Sequence, residues 1–214
     1  MKRAIILSLW QVEGSQGRNR KRMLLPFLLG LCMAASITSS YAQHSVHHYF
    51  RTMDIRNGLS QNTVYQILQD RKGFMWFGTK DGLNRYDGLS FRVYKKENSG
   101  LGKNFITALY EDHEGNIWIG TDGGVYIYNP VLDSFRSFDV TSDKSTCIRD
   151  FVTMIGSDEH HDIWISVENQ GLFRYRHREG KLENYLHDAG LANVTRFWLT
   201  GDACWLALYA DNLY

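Results

Sequence analysis

From residue 63 onward, short apolar runs alternate with brief polar turns, a pattern that favours β-strands over helices. The first stretch holds runs of five to seven residues in which β-branched and aromatic side chains are frequent. Gly73 and the pair Asp87-Gly88 lie between these runs, in turns that favour residues able to adopt a positive φ. The pattern predicts four strands in this stretch, at residues 63–69, 74–79, 82–86 and 90–94.

The same arrangement recurs along the chain. Trp76, Trp118, Trp164 and Trp205 are separated by 42, 46 and 41 residues, and the first two are surrounded by close copies of one sequence. The third and fourth copies are more divergent. Four strands in about 42 residues match one blade of a β-propeller. We therefore predict an all-β fold of four-stranded antiparallel blades, in an incomplete ring of about 3.5 blades.

The recurring tryptophans and glycines are best interpreted as structural. A single four-stranded sheet has two apolar faces, and stacking against neighbouring blades buries them, with a large aromatic side chain filling each gap. A glycine in a turn permits positive φ, and a glycine within a strand permits close approach of the next blade. The predicted structural positions are Trp76, Trp118, Trp164, Trp205, Gly73, Gly115, Gly78 and Gly120. No catalytic residue is predicted.

The repeat spacing also predicts where the blades begin and end. We place blade 1 at 58–96, blade 2 at 97–139, blade 3 at 140–186 and a truncated blade 4 at 187–214. Residues 43–57 are predicted to contain a ring-closing outer strand, because residues 47–53 resemble the fourth strands of later repeats. We interpret the sequence as the beginning of a longer protein. Because an unclosed ring leaves sheet faces and strand edges uncovered, we expect residues 43–214 alone to fold poorly.

The N-terminal segment has the composition of a secretory signal. Basic residues at 20–22 precede an apolar run at 23–35, and small or polar residues follow to Ala42. The run is shorter than the roughly 20 residues that a membrane-spanning helix needs. We predict a signal peptide at 1–42, cleaved after Ala42, and therefore export to the periplasm. An uncleaved anchor, lipidation at Cys32 and a start at Met23 are the alternatives.

Charge, cysteines and histidines limit the possible partners. Residues 1–42 hold six basic residues and one acidic residue, so 18 basic and 22 acidic residues remain, a balance that argues against binding nucleic acid. Two cysteines of the body are predicted to be small buried residues and not a disulfide, and five histidines to lie in solvated loops. These are Cys147, Cys204, His44, His47, His48, His160 and His161. We predict no metal site and no cofactor.

Residues 56–64, 70–79 and 81–88 closely resemble the two-component regulator propeller repeat. The resemblance covers residues 47–214. It implies the periplasmic sensor region of a hybrid two-component protein, anchored in the inner membrane, with further blades and output domains that include a histidine kinase. It also implies a homodimer in the full-length form and an oligosaccharide ligand. It assigns no ligand-binding residue, and the chain itself is not expected to be an enzyme.

Two other functions are compatible with a propeller of this kind. One is a secreted enzyme that acts on glycans, either a glycosidase or a lyase; glycoside hydrolysis would need paired carboxylates. The turns that begin at Asp70 and Asp112 resemble sialidase-type hairpins but are one residue longer, and such turns carry no chemistry. The other is a non-catalytic interaction scaffold.

Overall fold

The computed structural model describes residues 49–139, 147–185, 194–201 and 203–208. The predicted signal peptide, Cys32 and the three N-terminal histidines lie outside these residues. All described strands belong to the unit formed by Arg51–Tyr214. The described residues include a single helix, the 3₁₀ turn Ile55–Asn57, so nothing in this part of the chain is a helix of membrane-spanning length.

The strands form three four-stranded antiparallel sheets and one hairpin, and within each sheet the strands follow chain order. The first sheet comprises β1 Val64–Gln69, β2 Met75–Thr79, β3 Gly82–Tyr86 and β4 Phe91–Tyr94. The second comprises β5 Ile106–Glu111, β6 Ile117–Thr121, β7 Gly124–Asn129 and β8 Ser134–Ser137. The third comprises β9 Val152–Ser157, β10 Ile163–Val167, β11 Gly171–Arg176 and β12 Lys181–Asn184. The hairpin pairs β13 Val194–Thr200 with β14 Ala203–Leu208.

The first strands of the four units, β1, β5, β9 and β13, adjoin one another in succession. Each sheet therefore runs outward from a common inner edge, as blades do in a propeller. Three complete sheets followed by one hairpin confirm the predicted all-β fold and the incomplete ring of about 3.5 blades. Residues 49–53 lie outside every described strand. The ring-closing strand proposed for this region stays a prediction, because its expected partner is the last blade of a closed ring.

Apolar clusters fill the spaces between successive sheets. Each cluster combines the tryptophan of one sheet with the inner strand of the next, pairing Trp76 with Ile106, Trp118 with Val152, and Trp164 with Val194. The three indoles are at most 4% exposed. Full burial of side chains this large supplies much of the free energy that holds neighbouring sheets together.

Gly78 and Gly120 lie where the second strands approach the next sheet. A Cβ on Gly78 would stand 2.8 Å from Cγ2 of Ile106, and a Cβ on Gly120 would stand 2.6 Å from Cγ1 of Val152. Either distance is too short for an ordinary contact, so a larger residue would push the sheets apart. The third sheet has Ser166 at the equivalent position, where its hydroxyl donates to the carbonyl of Val194 at 2.5 Å.

Trp205 differs from the other three tryptophans, because its side chain is 66% exposed. It pairs with Trp198 across the hairpin, as the other tryptophans pair with the first strands of their own sheets. Its predicted role as the filler of an inter-blade gap stays a prediction, since no sheet among the described residues lies beyond that face of the hairpin. Cys147 and Cys204 are free thiols, as predicted, but both are half-buried where full burial was expected.

Each inner strand contains a register shift at the same place in the repeat, between Val64 and Gln66, Ile106 and Ala108, Val152 and Met154, and Val194 and Arg196. The extra residue is a threonine in the last three units. The hydroxyl of Thr107 donates to the carbonyl of Val152 at 2.6 Å, and that of Thr153 donates to the carbonyl of Val194 at 3.2 Å. These bulges therefore provide a hydrogen bond from one inner strand to the next.

Candidate ligand-binding face

Three aromatic side chains form a row across the inner edges of the sheets, at the end where the inner strands begin. The Tyr65 and Phe105 ring centroids are 4.7 Å apart, and those of Phe105 and Phe151 are 5.6 Å apart in an edge-to-face arrangement. Tyr65 is 47% exposed, and both phenylalanines are partly exposed. A partly exposed row of this kind offers a broad apolar surface next to polar loops.

The turns after the second strands border this row. The amide of Asp122 donates to the carbonyl of Phe105 at 3.3 Å, and that of Glu168 donates to the carbonyl of Phe151 at 2.8 Å. The backbone therefore fixes each turn against an aromatic residue. Because these turns carry exposed carboxylates on Asp122 and Glu168, apolar and charged groups lie side by side.

A polar network lies at the same end of the first two sheets. The ammonium of Lys95 is 2.5 Å from a carboxylate oxygen of Asp81, and the amide side chain of Asn104 donates to the other oxygen at 3.3 Å. Asn104 also accepts the backbone N–H of Lys96 at 2.7 Å. These contacts hold the loop between the sheets against the turn that contains Asp81.

A similar network organises the loop before the third sheet. The side chain of Gln170 accepts the backbone N–H of Arg149 and donates to the carbonyl of Cys147, both at 3.1 Å. The neighbouring Asn169 has a φ of 58° and is exposed. The amide groups at this end of the molecule are therefore positioned by the fold and not by chance orientation of long side chains.

The opposite end of each sheet carries the repeated aspartate turn. Asp70 and Asp112 each accept a hydrogen bond of 2.8 Å from the indole N–H of the tryptophan six residues later. Their other carboxylate oxygens accept backbone N–H groups of the turn at 2.9 Å. Gly73 and Gly115, at φ 88° and 85°, complete these turns. The aspartates thus anchor the core tryptophans, and their oxygens are occupied.

The third repeat uses the same turn with different residues. Asp158 accepts from the indole of Trp164 at 2.9 Å, and His161 adopts a φ of 66° at the position equivalent to Gly73 and Gly115. The sequence pattern of the repeat hides this equivalence, because the turn lacks its glycine. The six-residue spacing from aspartate to tryptophan is the signal that would have identified Asp158.

One pair of carboxylates lies close together in this turn. Asp158 and Asp162 contact the same nitrogen of Arg174, at 3.2 and 2.9 Å. Burial acts to raise the pKa of Asp158, but the hydrogen bond from Trp164, backbone N–H groups and Arg174 outweigh it and lower the pKa overall. A glycosidase acid requires the opposite shift, a carboxyl held protonated. The arrangement of this pair therefore fits a structural role in the turn better than a role in acid–base catalysis.

A cleft of about 460 Å³ separates the outer edges of the first two sheets. Asp133 at its wall accepts the phenol of Tyr128 at 2.7 Å and lies 2.8 Å from the guanidinium of Arg92. The hydrogen bond from Tyr128 is the main cause that lowers the pKa of Asp133, and burial is the main cause that raises the pKa of Tyr128. These polar groups are largely satisfied by one another, so the cleft offers few free contacts to a ligand.

The eight residues predicted to be structural lie apart from the aromatic row, within the sheets, the sheet interfaces and the aspartate turns. Sequence reasoning assigned no ligand-binding residue and missed the row. Phe105 and Phe151 occupy equivalent positions just before their inner strands, a signal that an alignment of the repeats contains. Tyr65 lies two positions further along its repeat, so only the fold brings it beside Phe105.

Two segments of the chain, residues 58–81 and 100–123, match the two component regulator propeller family. The segments cover the first two repeats. A histidine kinase of Formosa agariphila is 44% identical over 54 residues, which are 25% of this chain and 4% of that protein. The chain therefore spans a very small part of that relative.

Solved structures resemble the fold over a larger share of the chain. The extracellular domain of a hybrid two component system from B. thetaiotaomicron matches with a TM-score of 0.62 and 27% identity, over 69% of this chain and 22% of that domain. The extracellular domain of a one component system from the same organism matches with a TM-score of 0.59 and 22% identity, over 74% and 22% respectively.

A streptogramin B lyase shares the fold at a TM-score of 0.50 and 17% identity, over 66% of this chain and 47% of the lyase. At this identity the likeness concerns the fold alone. The chain resembles extracellular sensor domains of two-component systems, in a fold that an enzyme also uses.

Proposed function

Because the chain carries two-component regulator propeller repeats, we propose that it forms part of the periplasmic ligand-sensing region of a transmembrane two-component signalling protein, and that its ligand is an oligosaccharide. The likeness to extracellular domains of such systems supports the signalling role. The observation that carries the ligand class is the row formed by Tyr65, Phe105 and Phe151 beside fixed polar loops.

An oligosaccharide suits this surface chemically. The faces of a sugar ring present C–H groups, which pack well against the electron-rich face of an aromatic ring. The hydroxyl groups at the ring edge need hydrogen-bond partners, and carboxylates and amides are available in the adjoining turns. Asp122, Glu168 and Asn169 are exposed beside the row and would provide such partners.

The proposal includes partners outside this chain. Further blades would complete the ring, output domains that include a histidine kinase would transmit the signal, and the full-length protein would act as a homodimer. A signal peptide at 1–42 would direct export, with the full-length protein anchored in the inner membrane. The small share of each relative that the chain spans is consistent with such a longer protein. No nucleic-acid partner and no cofactor are proposed.

The test is calorimetry of oligosaccharides from polysaccharide breakdown against the complete extracellular region that contains these repeats. We expect at least one oligosaccharide to bind without being cleaved. Replacing Phe105 with alanine should weaken that binding about tenfold, because a stacking surface is lost. Leu132→Ala is a matched control, since Leu132 is 72% exposed in a turn at the other end of the second sheet.

Each alternative function has its own result in the same experiment. Turnover of a glycan, detected as new reducing ends or unsaturated products, would favour a propeller enzyme. Absence of binding across the panel would favour an interaction scaffold. Equal loss of binding in Phe105→Ala and Leu132→Ala would remove the aromatic row from the proposal.

A further inference from the structure

A cluster of histidines and a glutamate joins the second and third sheets at the end that carries the aspartate turns. One ligand atom each from His113, Glu114 and His177 lies within 4.8 Å of the others. His113 and Glu114 belong to the turn between β5 and β6, whereas His177 follows β11. The three residues therefore bridge two neighbouring blades, well away from the aromatic row at the opposite ends of the sheets.

The geometry points to a binding site for a divalent transition metal such as Zn²⁺, and we propose that His113, Glu114 and His177 are its protein ligands. Two imidazoles and one carboxylate are a ligand set that suits zinc, with water in the fourth position. Zinc bonds of about 2.1 Å in a tetrahedron separate ligand atoms by about 3.4 Å. Nε2 of His177 and Oε1 of Glu114 are already 3.2 Å apart.

The surroundings hold these side chains in place. The second carboxylate oxygen of Glu114 accepts the side-chain amide of Asn116 at 3.2 Å. The His113 ring stacks on the His161 ring, with the ring centroids 4.5 Å apart. The backbone carbonyl of His113 accepts a hydrogen bond of 2.6 Å from the Arg71 guanidinium. Such outer contacts orient metal ligands and limit the rearrangement that binding requires.

The repeat itself does not require these residue types. At the junction between the first and second sheets, the equivalent positions hold Arg71, Lys72 and Pro130, none of which is a usual metal ligand. The fold forms the same turns there with residues of a different chemistry. The two histidines and the glutamate are therefore an addition to the repeated structure at one junction, and not a consequence of it.

Calorimetric titration with ZnCl₂ of the untagged complete extracellular region that contains these repeats, the protein used for the oligosaccharide test, tests the site. The wild-type chain should bind one Zn²⁺ that the His113→Ala/His177→Ala double variant binds about tenfold more weakly or not at all. The N-terminal histidines 44, 47 and 48 are present in both proteins, so their binding contributes equally. His160→Ala is the matched control, because His160 is exposed in the neighbouring turn and should leave the titration unchanged.

A thermal melt gives a second readout. A metal that binds only the folded chain and bridges two sheets should raise the melting temperature of the wild type and of His160→Ala, but not that of the double variant. Should the double variant fail to fold, Glu114→Gln keeps the shape of the side chain and should still weaken binding about tenfold. Superimposable titrations of wild type and variants, or equal loss in His160→Ala, would overturn the site.

Discussion

The second sheet and the β13–β14 hairpin contain the same repeat, but they differ in what surrounds their tryptophans. Trp118 of the second sheet is 2% exposed between two neighbouring sheets, whereas Trp205 of the hairpin is 66% exposed. Both occupy the second strand of their unit and face a residue of its first strand. The repeat thus determines the position of the indole, and the next sheet determines whether it is buried.

The two regions also differ in the residues that support the tryptophan. Asp112 holds the indole of Trp118 from a turn of five residues, but Thr200 occupies the equivalent position in the hairpin, and the hairpin turn has only two residues. Gly120 of the second sheet corresponds to Ala207 of the hairpin. The hairpin keeps the strand pairing of the repeat without its aspartate turn or its close-packing glycine.

The largest difference between the two regions is expected when each tryptophan is replaced by alanine. Trp118→Ala should lower the free energy of unfolding by about 3–5 kcal/mol, because it empties a large buried volume. Trp205→Ala should lower it by about 0.5 kcal/mol or less, because an exposed side chain has little packing to lose. Urea unfolding of the full chain would measure both. Equal losses would mean that Trp205 is covered in solution.

Exchanging Gly120 and Ala207, the small residues at equivalent positions of the two regions, should change the free energy of unfolding less. Gly120→Ala introduces the residue that the hairpin already has, but its Cβ would collide with Val152, so we expect a loss of about 1–3 kcal/mol. The reverse change Ala207→Gly should cost about 1 kcal/mol or less, from chain entropy alone. Both are measured by the same urea titration. A neutral Gly120→Ala variant would show that the second and third sheets can separate at no cost.

The smallest effect is the loss of stability at low pH in the third sheet, which faces the hairpin. The pKa of Asp158 in the folded chain lies below the ordinary value of 3.8, so its contribution to stability is present above about pH 4. That contribution disappears as the pH falls through the lowered pKa. The stability difference between wild type and Asp158→Asn should therefore shrink from pH 5 to about pH 3 in urea titrations.

Leu199→Ala provides the control for this acid effect. It alters a non-titrating side chain packed beside Trp164 in the third cluster, so its cost should be the same at both pH values. A gap between wild type and Asp158→Asn that stays constant with pH would mean that the carboxylate is not stabilised by its partners in the turn.

The sequence predicted much of this fold because its signals are local and repeated. The spacing of the tryptophans and the glycine-containing turns was sufficient to predict the four-stranded sheets. It also predicted the buried indoles of the first three units and the glycines at sheet contacts. It did not predict the exposure of Trp205, since burial depends on a neighbour that local pattern does not specify. Asp158 was missed because His161 replaces the glycine that marks the turn.

The site residues could not be predicted in the same way. His113 and His177 are 64 residues apart and belong to different kinds of turn, so only the packing of one sheet against the next brings them together. Tyr65 and Phe105 occupy different positions in the repeat, and their contact depends on the offset between inner strands. Contacts between repeats are a property of the assembled ring, whereas periodicity describes each repeat alone.

The bulged threonines of the inner strands bear on how such a chain can grow. Thr107 and Thr153 each reach a carbonyl of the following unit, while the carbonyl of Val152 receives the hydroxyl of the unit before. The third sheet therefore donates from Thr153 to the unit after it and accepts at Val152 from the unit before it. A duplicate of this sheet, inserted between two units with the same groups, could form both hydrogen bonds even after its aromatic core had diverged. Gene duplication can then lengthen the ring one module at a time without redesigning the junction.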